Sequence, residues 1–254
     1  MTLLAERTTT EAADALDSAA VGVLPVGSTE QHGPALALGM DHLAAEAFAR
    51  SAADREDSVV LPTVPVGVSA HHRQFDGTLS VSETTFERYV EETIASLAEH
   101  GVRKVVVVNG HGGNAGALSR AARTLRDERT AFAPPWNWWD SVEDVADDLF
   151  DEAGGHADAM ESSLLWYLHE ELVDPDELEA AEDGASDAWG ETVHGAAIGF
   201  DTIDFSESGA VGRPTQAHPE KGERIYETAR GQLHALLDWL ADRPIEDCWP
   251  RDHV

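Results

Sequence analysis

The sequence predicts an α/β fold with a mostly parallel central sheet and helices on both of its faces. Two observations lead there. Short apolar runs alternate with longer stretches of helical periodicity, which is the pattern of strand–helix–strand units. The clearest of the short runs is apolar at successive positions, as expected of a strand covered on both faces.

Val21–Val26 is an apolar run closed by Gly27-Ser28 and reads as the first buried strand. A helix is expected from about His42 to Ala53, then a second strand at Ser58–Leu61. Ser82 or Thr84 can cap the next helix, in which Phe86, Tyr89, Val90, Ile94 and Leu97 recur at helical spacing before Gly101 stops it. Lys104–Val108 holds four consecutive valines, too short and too β-branched for a helix. Ala115–Asp127 is again helical, and Ala131–Ala133 is expected to add a strand. Further helices run from about Ala157 to Leu168 and over Glu220–Ala241, while the acidic stretch Glu170–Asp187 reads as a solvated excursion. With no internal repeat and no Gly/Ser- or Pro-rich linker, residues 1–254 are expected to form a single domain.

The chain carries 48 Asp and Glu against 17 Lys and Arg, a formal charge of -31 spread along its whole length. A phosphate backbone or an anionic membrane would be repelled by such a surface, so neither nucleic acid nor a membrane is an expected partner. In dilute buffer the same charge works against the compact state. Molar salt shortens the Debye length to about 3 Å and screens most of that repulsion. A salt-filled, halophilic cytoplasm is therefore the expected setting, with an acidic interaction surface as the alternative. Cys248 is the one cysteine, so no internal disulfide can form. The opening residues lack the basic and apolar regions of a signal peptide, and no run reaches 18 apolar residues, so a cytoplasmic protein is expected.

Two polar clusters follow the two clearest strands, where open α/β sheets bind their ligands. After the first come Ser28-Thr29-Glu30-Gln31-His32-Gly33-Pro34, with Asp41 nine residues beyond His32. After the valine strand comes Asn109-Gly110-His111-Gly112-Gly113-Asn114. Glu30, His32, Asp41 and His111 together offer imidazole nitrogen and carboxylate oxygen, a donor set suited to Zn²⁺, Mn²⁺ or Fe²⁺ and unlike the thiolate set of a structural zinc site. Asp41 has two oxygens with which to bridge two ions. Taken singly, each has a plainer reading: Asp41 as a helix cap, a histidine as a hydrogen-bonded loop residue, the glycines as a turn. Their convergence at two strand ends favours the metal reading. A third cluster, His156-Ala157-Asp158-Ala159-Met160-Glu161, opens a helix; its histidine can shuttle protons, but on this segment alone a capping or surface histidine is the stronger reading. Trp136, Trp138 and Trp139 can wall a pocket or fill a core, and the Ser69–Thr78 segment, with His72, can line the site or be a plain loop.

Together the motifs VGSTEQHGP, SAHHRQFDGTLS, VVVVNGHGGN, HADAMESS and ESGAVGRPTQAHPEKG resemble the creatininase family over nearly the whole chain. The resemblance implies a three-layer α/β/α sandwich with a dinuclear metal centre, often assembled as a hexamer. By position, Glu30, Asp41 and His111 would hold one ion, and His32 with the bridging Asp41 the other. His156 would be the proton carrier, with Glu161 following in its helix. His72, Trp136, Trp138, Gly112 and Gly113 are the expected substrate-binding positions. One departure matters. Creatininases carry a glutamate two residues after the NGH histidine as a second-metal ligand, and here that position is Gly113. NGHGGN is similar instead to the branch with formamidopyrimidine-nucleotide deformylases and mycofactocin-precursor peptidases, which leaves Glu161 or water to replace the missing donor. The implied reaction is hydrolysis of a non-peptide C–N bond, in a cyclic amide or a formamide, by metal-activated water. Deformylation of a nucleotide, cleavage of a precursor peptide, or a non-catalytic assembly role are the alternatives.

Overall fold

The computed structural model describes residues 3–151 and 155–251; residues 1–2, 152–154 and 252–254, which the expected domain of 1–254 includes, lie outside the described residues. Strands β1 (Val21–Val26), β2 (Ser58–Val60), β3 (Val105–Asn109) and β4 (Pro135–Asn137) form one parallel sheet in the order β2-β1-β3-β4. Every residue of β1 and β3 is buried, which is why neither run shows polar alternation.

Successive side chains of a strand point to opposite faces, and the core divides accordingly. Val21, Val23, Val106 and Val108 join one cluster with Phe48 of α2 (Met40–Ser51), Leu164 of α6 (Ala159–Leu168) and Leu233 of α8 (Pro219–Ala241). Leu24, Val26, Val105 and Val107 join the other with Phe86 and Ile94 of α3 (Glu83–Glu99) and Leu118 of α4 (Ala115–Asp127). The sheet lies between two helical layers, the α/β/α sandwich expected from the alternation. No helix among the described residues is long and apolar enough to cross a membrane.

Several boundaries differ from expectation for local reasons. The helix expected from about Ala157 starts at Ala159, because Asp158 caps it through Oδ1, which accepts from the backbone N–H groups of Met160 and Glu161 at 3.0 Å each. Ala131–Ala133 is not a strand: Phe132 makes a single bridge to Lys104, and regular pairing begins at Pro135. Prolines are tolerated there because β4 is an edge strand. Tyr89, expected on the apolar face of α3, is exposed. Three helices are additional to the expected elements, α1 (Thr9–Ser18), α5 (Glu143–Leu149) and α7 (Leu178–Asp183). Of these, α1 is held by a capping box between Thr8 and Glu11 and buries no side chain fully, so it has little apolar periodicity to read. The Glu170–Asp187 stretch is not simply solvated: Val173 bridges Leu36, and Leu178 and Ala181 of α7 pack against Ala35 and Ala217.

In the β1–β3 register Val26 lies opposite Asn109, so the segments that follow leave the sheet side by side at its carboxyl edge. That edge carries the site.

Candidate metal centre

Asp41 sits in the first turn of α2, but Gly39 is the N-cap residue and the Asp41 carboxylate does not cap the helix. The start of α2 is packed so closely on the end of β3 that a Cβ on Gly110 would fall 2.0 Å from the Asp41 carbonyl oxygen. Glycine is what lets the strand end and the helix start meet there. Asp41 is thereby held between two imidazoles. His32 Nε2 lies 3.1 Å from Oδ1 and His111 Nδ1 lies 3.1 Å from Oδ2. Glu30 Oε1 is 3.2 Å from the same His111 nitrogen, and Glu161 Oε2 is 3.8 Å from His32 Nε2. Glu30, His32, Asp41, His111 and His156 are all buried.

Hydrogen bonds to the far nitrogens decide what this arrangement can hold. His32 Nδ1 donates to the Glu30 carbonyl at 3.1 Å, and His111 Nε2 donates to the Val68 carbonyl at 3.0 Å. In each neutral ring the nitrogen turned towards Asp41 is then a bare lone pair. Two lone pairs facing an ionised carboxylate at 3.1 Å require a cation, either a proton on each ring or a metal ion. Glu30 Oε1, Glu30 Oε2 and Asp41 Oδ2 are buried without a hydrogen bond, which leaves them open to a cation. Imidazole and carboxylate donors gathered about one carboxylate, with unused buried oxygens on Glu30 and Asp41, fit a metal centre. Ligand atoms of Glu30, His71 and His111, of His32, Asp41 and Glu161, and of Glu30, His32 and His156 each lie within 4.8 Å of one another.

Without metal, the electrostatics record the same demand for positive charge. Burial pushes the Asp41 carboxyl up, but the His32 and His111 rings override it and hold it well below the usual carboxylate range. Glu30 is also lowered, its burial outweighed by His111. Conversely, burial acts against the His32 imidazolium, yet Asp41 raises its pKa to about 10, and His111 is raised well above the usual value by Glu30 and Asp41. Glu161 goes the other way: burial lifts it to about 8, with Asp158 adding repulsion.

His156 makes a different kind of contact. Its Nε2 donates to the Gln31 carbonyl at 2.8 Å, which leaves Nδ1 bare, 3.8 Å from Glu30 and 3.9 Å from Glu161. Burial and the neighbouring His32 lower its pKa to about 4. At neutral pH it is an uncharged proton acceptor.

These groups open on a cavity of about 530 Å³ whose wall includes Glu30, Asp41, His72, His111, Gly112, Gly113, His156 and Glu161. His32 lies behind the wall, fully buried. Trp136 and Trp138 do not line it. Trp138 is wholly enclosed and stacks on Phe48 at 6.0 Å, and Trp136 packs edge-on to the same ring at 5.6 Å, so both serve the core. The indoles at the cavity are Trp139 and Trp189. Trp139 belonged to the aromatic group visible in the sequence, whereas Trp189, alone in an acidic stretch, carries no sequence signal. Gly113 has a steric reason: a Cβ there would lie 2.2 Å from the Val68 carbonyl oxygen and 2.4 Å from His111 Nε2. A glutamate cannot be accommodated without moving the backbone, and the carboxylate within reach of His32 is that of Glu161.

The family profile described as creatinine amidohydrolase matches residues 5–237. The chain belongs to the creatininase family. A mycofactocin precursor peptide peptidase from Mycolicibacterium smegmatis is 34% identical over 229 residues, covering 87% of this chain and 86% of the relative. A creatinine amidohydrolase from Pseudomonas putida is 30% identical over 174 residues, 61% of this chain and 67% of the relative. Among solved structures, a creatinine amidohydrolase (creatininase) superposes with a TM-score of 0.83 at 26% identity, over 96% of this chain and 99% of the other. A creatininase variant named for its Zn-Zn type and a creatininase named for Mn each give a TM-score of 0.79, at 26% and 25% identity and over 95% of this chain, covering 98% and 99% of theirs. This creatininase-family hydrolase thus combines the family fold with a His/Asp/Glu cluster of the kind that binds metal ions.

Proposed function

We propose that the chain is a metal-dependent amidohydrolase that uses two divalent ions, zinc, manganese or iron, to hydrolyse a non-peptide C–N bond in a small amide. The observation that carries this reading is the Asp41 carboxylate, with one oxygen 3.1 Å from each of two imidazole nitrogens whose far sides donate to backbone carbonyls. Glu30, Asp41 and His111 would hold one ion; His32, Asp41 and Glu161 the other. Bound there, such ions lower the pKa of water and polarise a carbonyl oxygen. His156 takes a proton at its bare Nδ1 and returns it to the nitrogen of the breaking C–N bond as the water oxygen bonds to carbon. Trp139 and Trp189 both line the cavity, and indoles there suit a cyclic amide or a formamide on a planar ring.

A second reading, hydrolysis of an amide within a peptide, is supported by the 34% identity to the mycofactocin precursor peptide peptidase. Metal analysis of the purified chain, with turnover on creatinine, a formylaminopyrimidine nucleotide and a peptide panel, separates the two. Two bound ions with chelator-sensitive turnover on a small amide support the first reading. Turnover confined to peptides establishes the second, and a chain that binds no metal overturns both.

We further propose a homo-oligomer working in a salt-rich cytoplasm. The family resemblance motivates the oligomer, and the charge of -31 on 254 residues motivates the salt: at 0.01 M the Debye length is about 30 Å, so repulsion acts across the molecule and between subunits, while at 1 M it is about 3 Å. With metal held saturating, because metal loss also destabilises the fold, the melting temperature is expected to rise steeply from dilute to molar KCl. Oligomer size is expected to persist only at the upper end. A melting temperature flat over that range would show that the acidic surface has another purpose.

A further inference from the structure

We propose that His72 is a positioning residue: its ring directs an Nε2–H at the Glu30 carboxylate and holds it in place for metal, and the tautomer that does this is fixed by Gln31 and Thr202. The proposal rests on the metal-centre reading above and assigns His72 to the support of a ligand, not to substrate.

The argument starts at Gln31. Its Oε1 accepts from the Gly33 backbone N–H at 3.0 Å and its Nε2 donates to the Gly209 carbonyl at 3.0 Å, so the orientation of the amide is decided. The amide nitrogen is also 2.8 Å from His72 Nδ1. An NH₂ group can only donate there, so Nδ1 is the bare nitrogen of a neutral ring. The same amide nitrogen lies 2.9 Å from His156 Nε2, but that N–H is directed to the Gln31 carbonyl oxygen. Both amide hydrogens are therefore used, one on Gly209 and one on His72. The Thr202 hydroxyl approaches the same Nδ1 at 2.9 Å and adds a second donor. With Nδ1 bare, Nε2 carries the hydrogen.

That N–H is buried and has no hydrogen-bond partner, and it faces Glu30 Oε1 at 3.6 Å. The distance exceeds hydrogen-bond length, so the contact is a dipole aimed at a buried carboxylate, neither of whose oxygens has a hydrogen bond. The ring has little freedom to turn away. It is fully buried and packs against His71, at 4.1 Å, and His156, at 4.3 Å between ring centroids. Groups that hydrogen-bond or orient a ligating side chain set its direction and basicity. Thr202 extends the relay outwards. It opens a 3₁₀ turn (Thr202–Asp204), and the preceding Asp201 carboxylate accepts from Arg73 at 2.8 Å and Gln74 at 2.5 Å, tying that turn to the segment that carries His72.

The test uses the full chain, stripped of metal and titrated with Zn²⁺ or Mn²⁺ against a competing chelator. His72→Leu is expected to weaken one of the two ions by about 10–100-fold and to leave the other within a few-fold. His72→Gln, which can return an N–H near the place of Nε2, is expected to recover most of that loss, and Thr202→Val to fall between. In ¹⁵N-histidine spectra of the metal-free chain, His72 is expected as the Nε2–H tautomer. Melting temperatures of the metal-free variants report folding separately. Unchanged affinity in a folded His72→Leu chain overturns the proposal, as does an Nδ1–H tautomer. So does a His72→Gln variant no better than His72→Leu. Failure of the unaltered chain to bind two ions overturns the metal-centre reading itself, and is seen before any variant is compared.

Discussion

Asp41→Ala is expected to leave the chain without either metal ion at concentrations that saturate the unaltered protein. Each ion would lose one of three side-chain donors at once, because Asp41 Oδ1 faces His32 and Oδ2 faces His111. What remains is Glu30 with His111 on one side and His32 with Glu161 on the other, too few ligands for tight binding on either. Glu30→Ala or Glu161→Ala, by contrast, removes a donor from one side and is expected to cost one ion. Metal content per chain after gel filtration decides between a bridging and a one-sided Asp41. Two tightly bound ions in Asp41→Ala would end the bridging assignment. Binding should also release protons. In the metal-free chain His32 is charged at neutral pH, its pKa raised to about 10, and metal entry must displace that proton. Calorimetry in buffers of different ionisation enthalpy reads the release directly. The sign for stability follows the same shift. The His32–Asp41 pair supports the metal-free fold fully below the ordinary histidine value of 6.5, and its contribution is lost as pH rises through about 10.

How much of this can be read from the sequence depends on whether a residue's role is set locally or by distant neighbours. β1 and α4 coincide with the expected Val21–Val26 and Ala115–Asp127, because an unbroken apolar run and a helical repeat are local signals. The donors were legible for a related reason: they follow strand ends, and in a parallel sheet those ends share one edge. The three tryptophans show where local reading stops. Trp136, Trp138 and Trp139 are equivalent in sequence, and their roles part only because Phe48, from α2, offers its ring to the first two. Trp139 is turned edge-on to Trp138, at 84°, and reaches the cavity. Gly113 is an intermediate case. Sequence shows that a glutamate is missing, while the reason, the Val68 carbonyl 2.2 Å from any Cβ, comes from a segment 45 positions earlier in the chain. Gln31 stands in the first polar cluster, but its role is not legible there, since its amide meets His72, Gly33 and Gly209 through contacts that only the folded chain makes.

His156→Ala is expected to keep both ions and lose turnover by about 10²–10⁴-fold, the usual contribution of a general acid–base group, or about 3–5.5 kcal/mol of barrier. Retention of metal is the discriminating half. His156 is close enough to Glu30 and His32 to be counted as a donor itself, with its ligand atom within 4.8 Å of theirs. Its contacts argue otherwise. His32 and His111 approach carboxylate oxygens at 3.1–3.2 Å, whereas His156 Nδ1 stays 3.8 Å from Glu30 and 3.9 Å from Glu161. His156 stands in the cavity wall beside Glu30 and Asp41. Its pKa of about 4, set first by burial and then by His32, keeps it uncharged at neutral pH and free to accept the proton of an attacking water. Removing the ring eliminates that acceptor and leaves the Glu30, His32, Asp41, His111 and Glu161 set untouched. The measurement is kcat at saturating substrate on variant protein whose metal content has been determined. A variant depleted in metal would make His156 a ligand, and one with an unchanged kcat would move the proton transfer to another group, with Glu161 the next carboxyl in reach.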